Sequence, residues 1–148
     1  MSAWVHVAAI ARIDYLPVLH DGTEVDFDKA FGKECLWDSD ESVWNDAENN
    51  EDDYLPMGSE GSLRKTVWVN PHKNHADQYT VSIFGDLRDV TSGQWIIDWF
   101  KKKLSKMWVR QATISVDAEY AGITTWTFDR EADEAPDIEE DDDDATED

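Results

Sequence analysis

The chain has 148 residues, 41% of them hydrophobic and 11% aromatic, and a formal net charge of −21 at pH 7. This length fits a single domain with one hydrophobic core, and the aromatic content excludes a chain that is disordered throughout. The charge repels nucleic acid, whose direct binding through phosphates needs a positive face, and instead favours a partner with a basic surface.

The first predicted element is a strand from Ser2 to Ile13, because its side chains alternate between two faces. One face is apolar and consists of Val5, Val7, Ala9, Ala11 and Ile13. A short helix follows, opened by Thr23 with Asp26, whose apolar side consists of Phe27, Ala30 and Phe31. We expect His6, on the other face of the strand, to be a packed or interfacial histidine.

An acidic segment runs from Asp38 to Asp53, with eight carboxylates and no Lys or Arg. Its hydrophobic periodicity is weak, which predicts a long loop that is partly held to the body by its aromatic residues. Those aromatic residues, in or beside the segment, are Trp37, Trp44 and Tyr54.

The next predicted elements alternate between strand and helix. Gly58 to Gly61 is typical of a turn, and strands are predicted from about Leu63 to Asn70 and from Gln78 to Gly85. A helix begins at Thr91, which we predict as its N-cap because Gln94 follows three residues later. Its predicted buried stripe is Trp95, Ile96, Trp99, Phe100 and Leu104.

The last part of the chain predicts two strands and a tail. The strand from Trp108 to Asp117 places Trp108, Ala112, Ile114 and Val116 on one side, and a hairpin leads into a strand from Ile123 to Phe128. From Asp129 to Asp148 there are thirteen carboxylates and one base, so this segment carries −12 of the net charge. Its apolar surface is too small to offset its ordering entropy, which predicts disorder.

These elements predict an α+β fold with an antiparallel sheet. Their order is β-α-β-β-α-β with an added C-terminal hairpin strand, which is the ferredoxin-like plan with two helices on one sheet face. The predicted domain spans 1–128, including the acidic loop at 38–53, and the acidic tail spans 129–148.

Catalytic and metal-binding motifs do not emerge from the sequence, so we expect no enzyme and no cofactor. The Gly58 to Gly61 turn lacks the phosphate-binding glycine fingerprints, and the acidic segment fails the calcium-loop pattern at its glycine and final glutamate positions. His72 and His75 could share a metal with Cys35 or an acidic residue, but they form only one half of a zinc motif.

The predicted binding site is therefore the acidic segment with its tryptophans. Exposed Trp flanked by carboxylates suits a basic protein surface, although the alternative is a loop with both rings buried. The predicted partner-binding residues are Trp37, Asp38, Asp40, Glu41, Trp44, Asp46, Glu48, Glu51, Asp52 and Asp53.

Three short segments carry a resemblance to a known group. They are Met1 to Val7, Gly58 to Leu63, and Ile83 to Asp89, and together they resemble small uncharacterised proteins of tailed bacteriophages. The resemblance implies a phage or prophage gene expressed in a bacterial cytoplasm, and it implies no activity. The acidic segment and the tail are not part of it.

The leading functional prediction is a phage-encoded binding protein that imitates the charge of nucleic acid and inhibits a host defence nuclease or DNA-binding protein, of the anti-restriction or anti-CRISPR type. Such a protein binds neither nucleic acid nor a membrane directly. One alternative is an accessory or structural phage protein whose sheet face pairs in a homodimer or larger homo-oligomer. Another is a small-ligand-binding protein that uses a cleft between the acidic loop and the sheet.

Overall fold

A computed structural model describes residues 3–15, 19–20, 24–37, 40–69, 78–90 and 92–133. In chain order its elements are β1 (Trp4–Tyr15), β2 (Leu19–His20), β3 (Glu24–Val25), α1 (Phe27–Phe31), α2 (Glu41–Asn49), a 3₁₀ turn (Glu51–Asp53), β4 (Gly61–Val69), β5 (Tyr79–Arg88), α3 (Gly93–Leu104), β6 (Trp108–Ala118), β7 (Gly122–Asp129) and α4 (Arg130–Asp133).

Five strands form one antiparallel sheet in the order β4-β5-β1-β6-β7, while β2 and β3 pair separately. The predicted α+β class and antiparallel sheet are confirmed. Between β1 and β4 the chain has a small hairpin, α1, α2 and a 3₁₀ turn rather than one helix. The fold therefore does not reproduce the ferredoxin-like plan element for element, and that finer assignment stays a prediction.

The main core lies between one face of the sheet and the helices α1 and α3. The predicted apolar face of β1 is confirmed, since Val5, Val7, Ala9, Ala11 and Ile13 are all buried. Helix α1 contributes Phe31, which is fully buried, and its N-cap is Asp26, whose carboxylate accepts a hydrogen bond from Lys29 N at 3.0 Å. Thr23, the other predicted cap residue, lies outside the described residues.

Helix α3 differs from its prediction in both its start and its buried face. Its N-cap is Ser92, whose hydroxyl accepts a hydrogen bond from Gln94 N at 3.1 Å, while Thr91 lies outside the described residues. The residues that face the sheet are Ile96, Ile97, Phe100 and Leu104. Trp95 is 46% exposed, so its place in the predicted buried stripe was wrong, whereas Trp99 is half-buried and packs against the main core.

A bulge in β6 reverses the predicted side of Trp108. Arg12 pairs with Gln111, but the next β1 residue, Ile13, pairs with Val109, which leaves Arg110 as an extra residue. Such an insertion changes which side chains face the core. Val109 is therefore buried, and Trp108 is 42% exposed instead of sharing the face of Ala112.

The folded body extends past the predicted boundary at residue 128. Asp129 is the last residue of β7, and α4 follows directly. Arg130 Nε donates a hydrogen bond to Val109 O at 2.6 Å, and its guanidinium carbon lies 4.1 Å from the ring centroid of Trp108. The first residues of the predicted disordered tail are thus part of the fold, and residues 134–148 lie outside the described residues.

Candidate functional site

The predicted acidic loop is largely helical, which corrects the prediction for 38–53. Helix α2 occupies Glu41–Asn49 and the 3₁₀ turn occupies Glu51–Asp53. Asp40 is the N-cap, because its carboxylate accepts hydrogen bonds from Ser42 N and Val43 N at 3.0 and 3.2 Å. Hydrogen bonds from the Ser42 hydroxyl and from these amides hold the pKa of Asp40 below its ordinary value.

A second, small core anchors this helix. It consists of the buried residues Cys35, Ala47 and Tyr54, with Trp44 and Met57 packed against them. The Tyr54 hydroxyl donates a 2.5 Å hydrogen bond to Asp46 Oδ2, and that bond, followed by burial, raises the pKa of Tyr54 to about 12. Burial and then the charge of Glu48 raise the pKa of the Cys35 thiol. Both side chains therefore stay protonated at neutral pH.

The small core is joined to the body through a short parallel bridge between Lys33 and Tyr54. Lys33 N donates to Asp53 O, and Leu55 N donates to Lys33 O, both at 2.9 Å. Gly32 precedes this bridge with φ of +123°, and a Cβ at that position would lie 2.6 Å from Tyr54 C. The close approach of the two chain segments thus requires glycine.

The carboxylates of this segment form an exposed surface that we name the acidic ridge. All of its seven members are solvent-exposed: Asp40, Glu41, Asp46, Glu48, Glu51, Asp52 and Asp53. Seven of the eight predicted carboxylates are therefore exposed on the capped helix and the 3₁₀ turn, and Asp38 lies outside the described residues. Asp40 and Asp46 also have structural roles, as the N-cap and as the Tyr54 acceptor.

The two predicted tryptophans are in different environments. Trp37 is 53% exposed, and it is held at the surface by hydrogen bonds from its backbone N to Ser62 Oγ at 2.7 Å and from Nε1 to Ser59 O at 3.3 Å. Trp44 is half-buried against the small core. Of the pair, Trp37 is the residue that can contact a partner without rearrangement.

A cleft of about 850 Å³ separates the acidic ridge from α3. The residues that line the cleft are of three chemical kinds. The acidic ones are Glu48, Glu51, Asp52 and Asp98, and the basic ones are Lys102, Lys103 and Lys106. The apolar or aromatic ones are Tyr54, Leu55, Pro56, Met57, Trp95 and Trp99. Burial, together with the nearby Lys106 charge, lowers the pKa of Lys103 despite the opposing charge of Asp52.

Sequence reasoning missed this cleft because it placed Trp95 and Trp99 in the core. The available signal was the spacing of Trp95, Trp99, Lys102 and Lys106, which recur every three or four residues and so form a second stripe on α3. That stripe faces the cleft while the stripe of Ile96 and Phe100 faces the sheet.

His6 lies on the face of the sheet that the helices leave open. Its Nδ1 is 2.8 Å from Asp86 Oδ1 and its Nε2 is 3.2 Å from Glu119 Oε2. The hydrogen bond with Asp86, followed by that with Glu119, raises the pKa of His6. Within the described part of the chain, no group of three or more His, Cys, Asp or Glu residues is placed to hold a metal ion. His72 and His75 lie outside that part.

Comparison of the chain with known protein families, with curated proteins and with solved structures gives no match. Among the described residues, no helix has both the length and the apolar character needed to cross a membrane. The geometry of the ridge and the cleft is therefore what indicates a function.

Proposed function

We propose that this protein is a phage-encoded acidic binding protein, rather than an enzyme, that acts in the host cytoplasm. Its acidic ridge would occupy the basic surface of a nucleic-acid-binding host protein, such as a defence nuclease. The observation that supports this proposal is that the seven exposed ridge carboxylates lie on a capped helix and a 3₁₀ turn with their own small core.

Fixed carboxylates suit this role better than mobile ones. On α2, Glu41 and Glu48 are seven residues apart, so their carboxylates share one face of the helix about two turns from each other. The carboxylates of Asp40 and Asp46 are engaged as the N-cap and as the Tyr54 acceptor. Because the small core already orders them, little conformational entropy is lost on binding. Disorder, which the sequence predicts for the tail, would let its carboxylates accelerate encounter with a basic partner without presenting charges at defined spacing.

Trp37 adds an apolar contact at the beginning of this segment. Its ring is half-exposed and held by two hydrogen bonds, so it is already oriented for contact. Tryptophan is enriched among the residues that dominate binding energy at protein interfaces. We therefore expect the partner to have an apolar contact site beside its basic surface.

The test is affinity capture from host lysate at low salt, followed by measurement of the captured partner's dissociation constant. A ridge variant combines Glu51→Gln, Asp52→Asn and Asp53→Asn, which preserve side-chain shape. A matched tail variant combines Asp142→Asn, Asp143→Asn and Asp144→Asn, so both variants lose the same charge. We expect the ridge variant to weaken binding at least about tenfold and the tail variant less than about threefold.

Two outcomes would contradict the proposal. One is that no basic nucleic-acid-binding protein is captured. The other is that both variants weaken binding equally, because net charge rather than the ridge would then be responsible. A truncated protein for the same experiment should end at Asp133, since ending at Phe128 would remove Arg130 and its contacts with Val109 and Trp108.

A second candidate function is binding of a small ligand in the cleft. The observation that favours it is that Lys103 is partly buried beside Trp99, so a cation and an aromatic ring line the same space. Nucleotides combine an anionic group with a ring that stacks on tryptophan. A large, saturable rise in melting temperature with nucleotide, lost in Lys103→Met, would support this candidate. An unchanged melting temperature would eliminate it.

A further inference from the structure

Helices α1 and α3 cover one face of the five-stranded sheet, and we name the other the open face. Of α4, Ala132 borders the open face beside Ile10, Thr113 and Thr127. The open face consists of four rows of five side chains, one from each strand: Ser62, Asp86, His6, Asp117 and Ile123; Arg64, Phe84, Ala8, Ser115 and Thr125; Thr66, Ser82, Ile10, Thr113 and Thr127; Trp68, Thr80, Arg12, Gln111 and Asp129. All twenty side chains are exposed or half-exposed.

The composition of the open face differs from that of the whole chain. Its two arginines and three aspartates give −1 with His6 neutral, whereas the chain carries −21. Eight of the twenty residues are Ser or Thr. Large apolar side chains are exposed there as well, at Ile10 (42%), Phe84 (43%), Trp68 (55%) and Ile123 (66%). A basic partner would gain little electrostatic energy from this face.

We infer that the open face binds a second copy of this chain, forming a homodimer by packing sheet on sheet. A second copy also carries −21, so it is repelled from most of the surface but not from a nearly neutral face. Exposed apolar side chains clustered on one face mark such an interface. This inference is independent of the proposed function, which concerns the acidic ridge.

The open face is large enough for a stable dimer. Five strands spaced about 4.8 Å apart, over eight residues of about 3.4 Å each, cover about 650 Å². Two copies then bury about 1,300 Å², which is within the range of about 1,200–2,000 Å² for specific interfaces. Twisted sheets pack face to face at about −30°, and β-branched threonines fill the space between them.

The charges on the open face are complementary under two-fold symmetry. Consider an axis that lies between the two sheets and runs perpendicular to β1. Each strand then lies over its own copy, so Arg12 of one copy faces His6 of the other, with Asp86 and Asp117 on either side of that histidine. Near the axis, Ala8 of one copy meets Ile10 of the other. Self-complementarity of this kind is what a two-fold interface requires.

The test is sedimentation equilibrium of the full chain over a range of concentrations, in enough salt to screen the net charge. We expect a species of twice 17.0 kDa with a dissociation constant of about 1 μM or less. Ile10→Lys and Thr113→Arg should each raise that constant at least about tenfold. The matched control is Val69→Lys, which adds the same charge at an exposed residue beyond the open face and should leave the dimer intact.

A charge exchange tests the proposed orientation. Arg12→Glu and Asp117→Lys should each weaken the dimer, and the double variant should recover most of the loss. Circular dichroism checks that each variant is folded. A wild-type monomer at every concentration would overturn the inference, and so would a dimer that both open-face variants leave intact. A dimer that forms only in the version ending at Asp133 would also overturn it, because residues 134–148 would then be the occupant of this face.

Discussion

The main core and the small core differ in size and in what they support. The main core joins α1, α3 and all five strands of the large sheet, whereas the small core has three buried residues and supports the acidic ridge. So small a core cannot fold alone, and it depends on its bridge to the body at Lys33 and Tyr54. The proposed binding surface is thus on the part of the molecule with the smaller core, where local opening should cost less than global unfolding.

The largest expected loss of stability comes from removing a large side chain from the main core. Phe100→Ala removes a fully buried ring that contacts Trp126 edge-on at 6.3 Å. We expect the free energy of unfolding to fall by about 3–5 kcal/mol, measured by urea denaturation. Val69→Ala, at a half-exposed residue, should change it by less than about 0.5 kcal/mol. A Phe100→Ala effect below about 1 kcal/mol would contradict this description of the core.

The second-largest expected loss of stability comes from a substitution at the junction between the two cores, beside the bridge of Lys33 and Tyr54. Gly32→Ala places a Cβ against Tyr54 backbone at a positive φ, so we expect a loss of about 1–3 kcal/mol with faster amide exchange in α2. Gly122→Ala is the control, because it has a φ of +95° but nothing within 4 Å of the new Cβ. Equal losses in the two variants would show that backbone strain alone is responsible and that the junction is not tightly packed.

A smaller effect should be confined to the small core. Tyr54→Phe removes the hydrogen bond to Asp46, so we expect local opening to become easier by about 0.5–1.5 kcal/mol. Cys35 is the single cysteine, and its labelling rate by a thiol reagent should therefore rise about two- to twelvefold. The folded pKa of Tyr54 is raised, so this stabilisation is present below pH 10.0 and is lost as pH rises through about 12.

An unchanged labelling rate at neutral pH would contradict the role of the Tyr54 hydroxyl. A large drop in the urea midpoint of Tyr54→Phe would contradict the separation of the two cores, because the effect would then be global.

The smallest expected change in stability comes from His6 on the sheet, and its pH dependence lies well below that of Tyr54. The folded pKa of His6 is raised above 6.5, so its stabilisation is complete below pH 6.5 and is lost as pH rises through the folded pKa. His6 is partly exposed, so we expect His6→Gln to cost less than about 1 kcal/mol at acidic pH. Urea denaturation at several pH values measures the difference in unfolding free energy between the wild type and His6→Gln. A difference that grows as pH rises would contradict a stabilising role of protonated His6.

The buried face of a strand could be predicted from the sequence where apolar residues occupy every second position without interruption. β1 has apolar residues at every second position, and all five are buried as predicted. The predicted side of Trp108 is wrong because the bulge at Arg110 shifts the face on which the preceding residues lie. The alternation of apolar and polar residues does not reveal where a bulge occurs. For α3, the choice between two adjacent apolar stripes depended on tertiary packing, since Trp95, Ile96 and Ile97 are all apolar.

The sequence indicates the acidic segment as the candidate binding site, but it does not indicate that the segment is helical. Helix α2 is amphipathic, but it is polar overall and buries only Ala47 completely, which concealed the helical pattern. The usable signal was Asp40 as a cap, followed by apolar residues at Val43, Trp44 and Ala47. The cleft could not be predicted, because it brings Glu48, Glu51 and Asp52 close to α3 residues that lie more than forty positions later in the chain.

The position of β1 in the centre of the sheet has a consequence for how the protein is synthesised. Val5 pairs with Leu87 and with Ala118, so both neighbours of this strand are made long after it. At about 5–20 residues per second, an alternating apolar segment waits several seconds on the ribosome without its partners. Its pairing is dominated by distant contacts, which predicts slow folding. The excess of carboxylates along the chain would keep the nascent protein from aggregating during that interval.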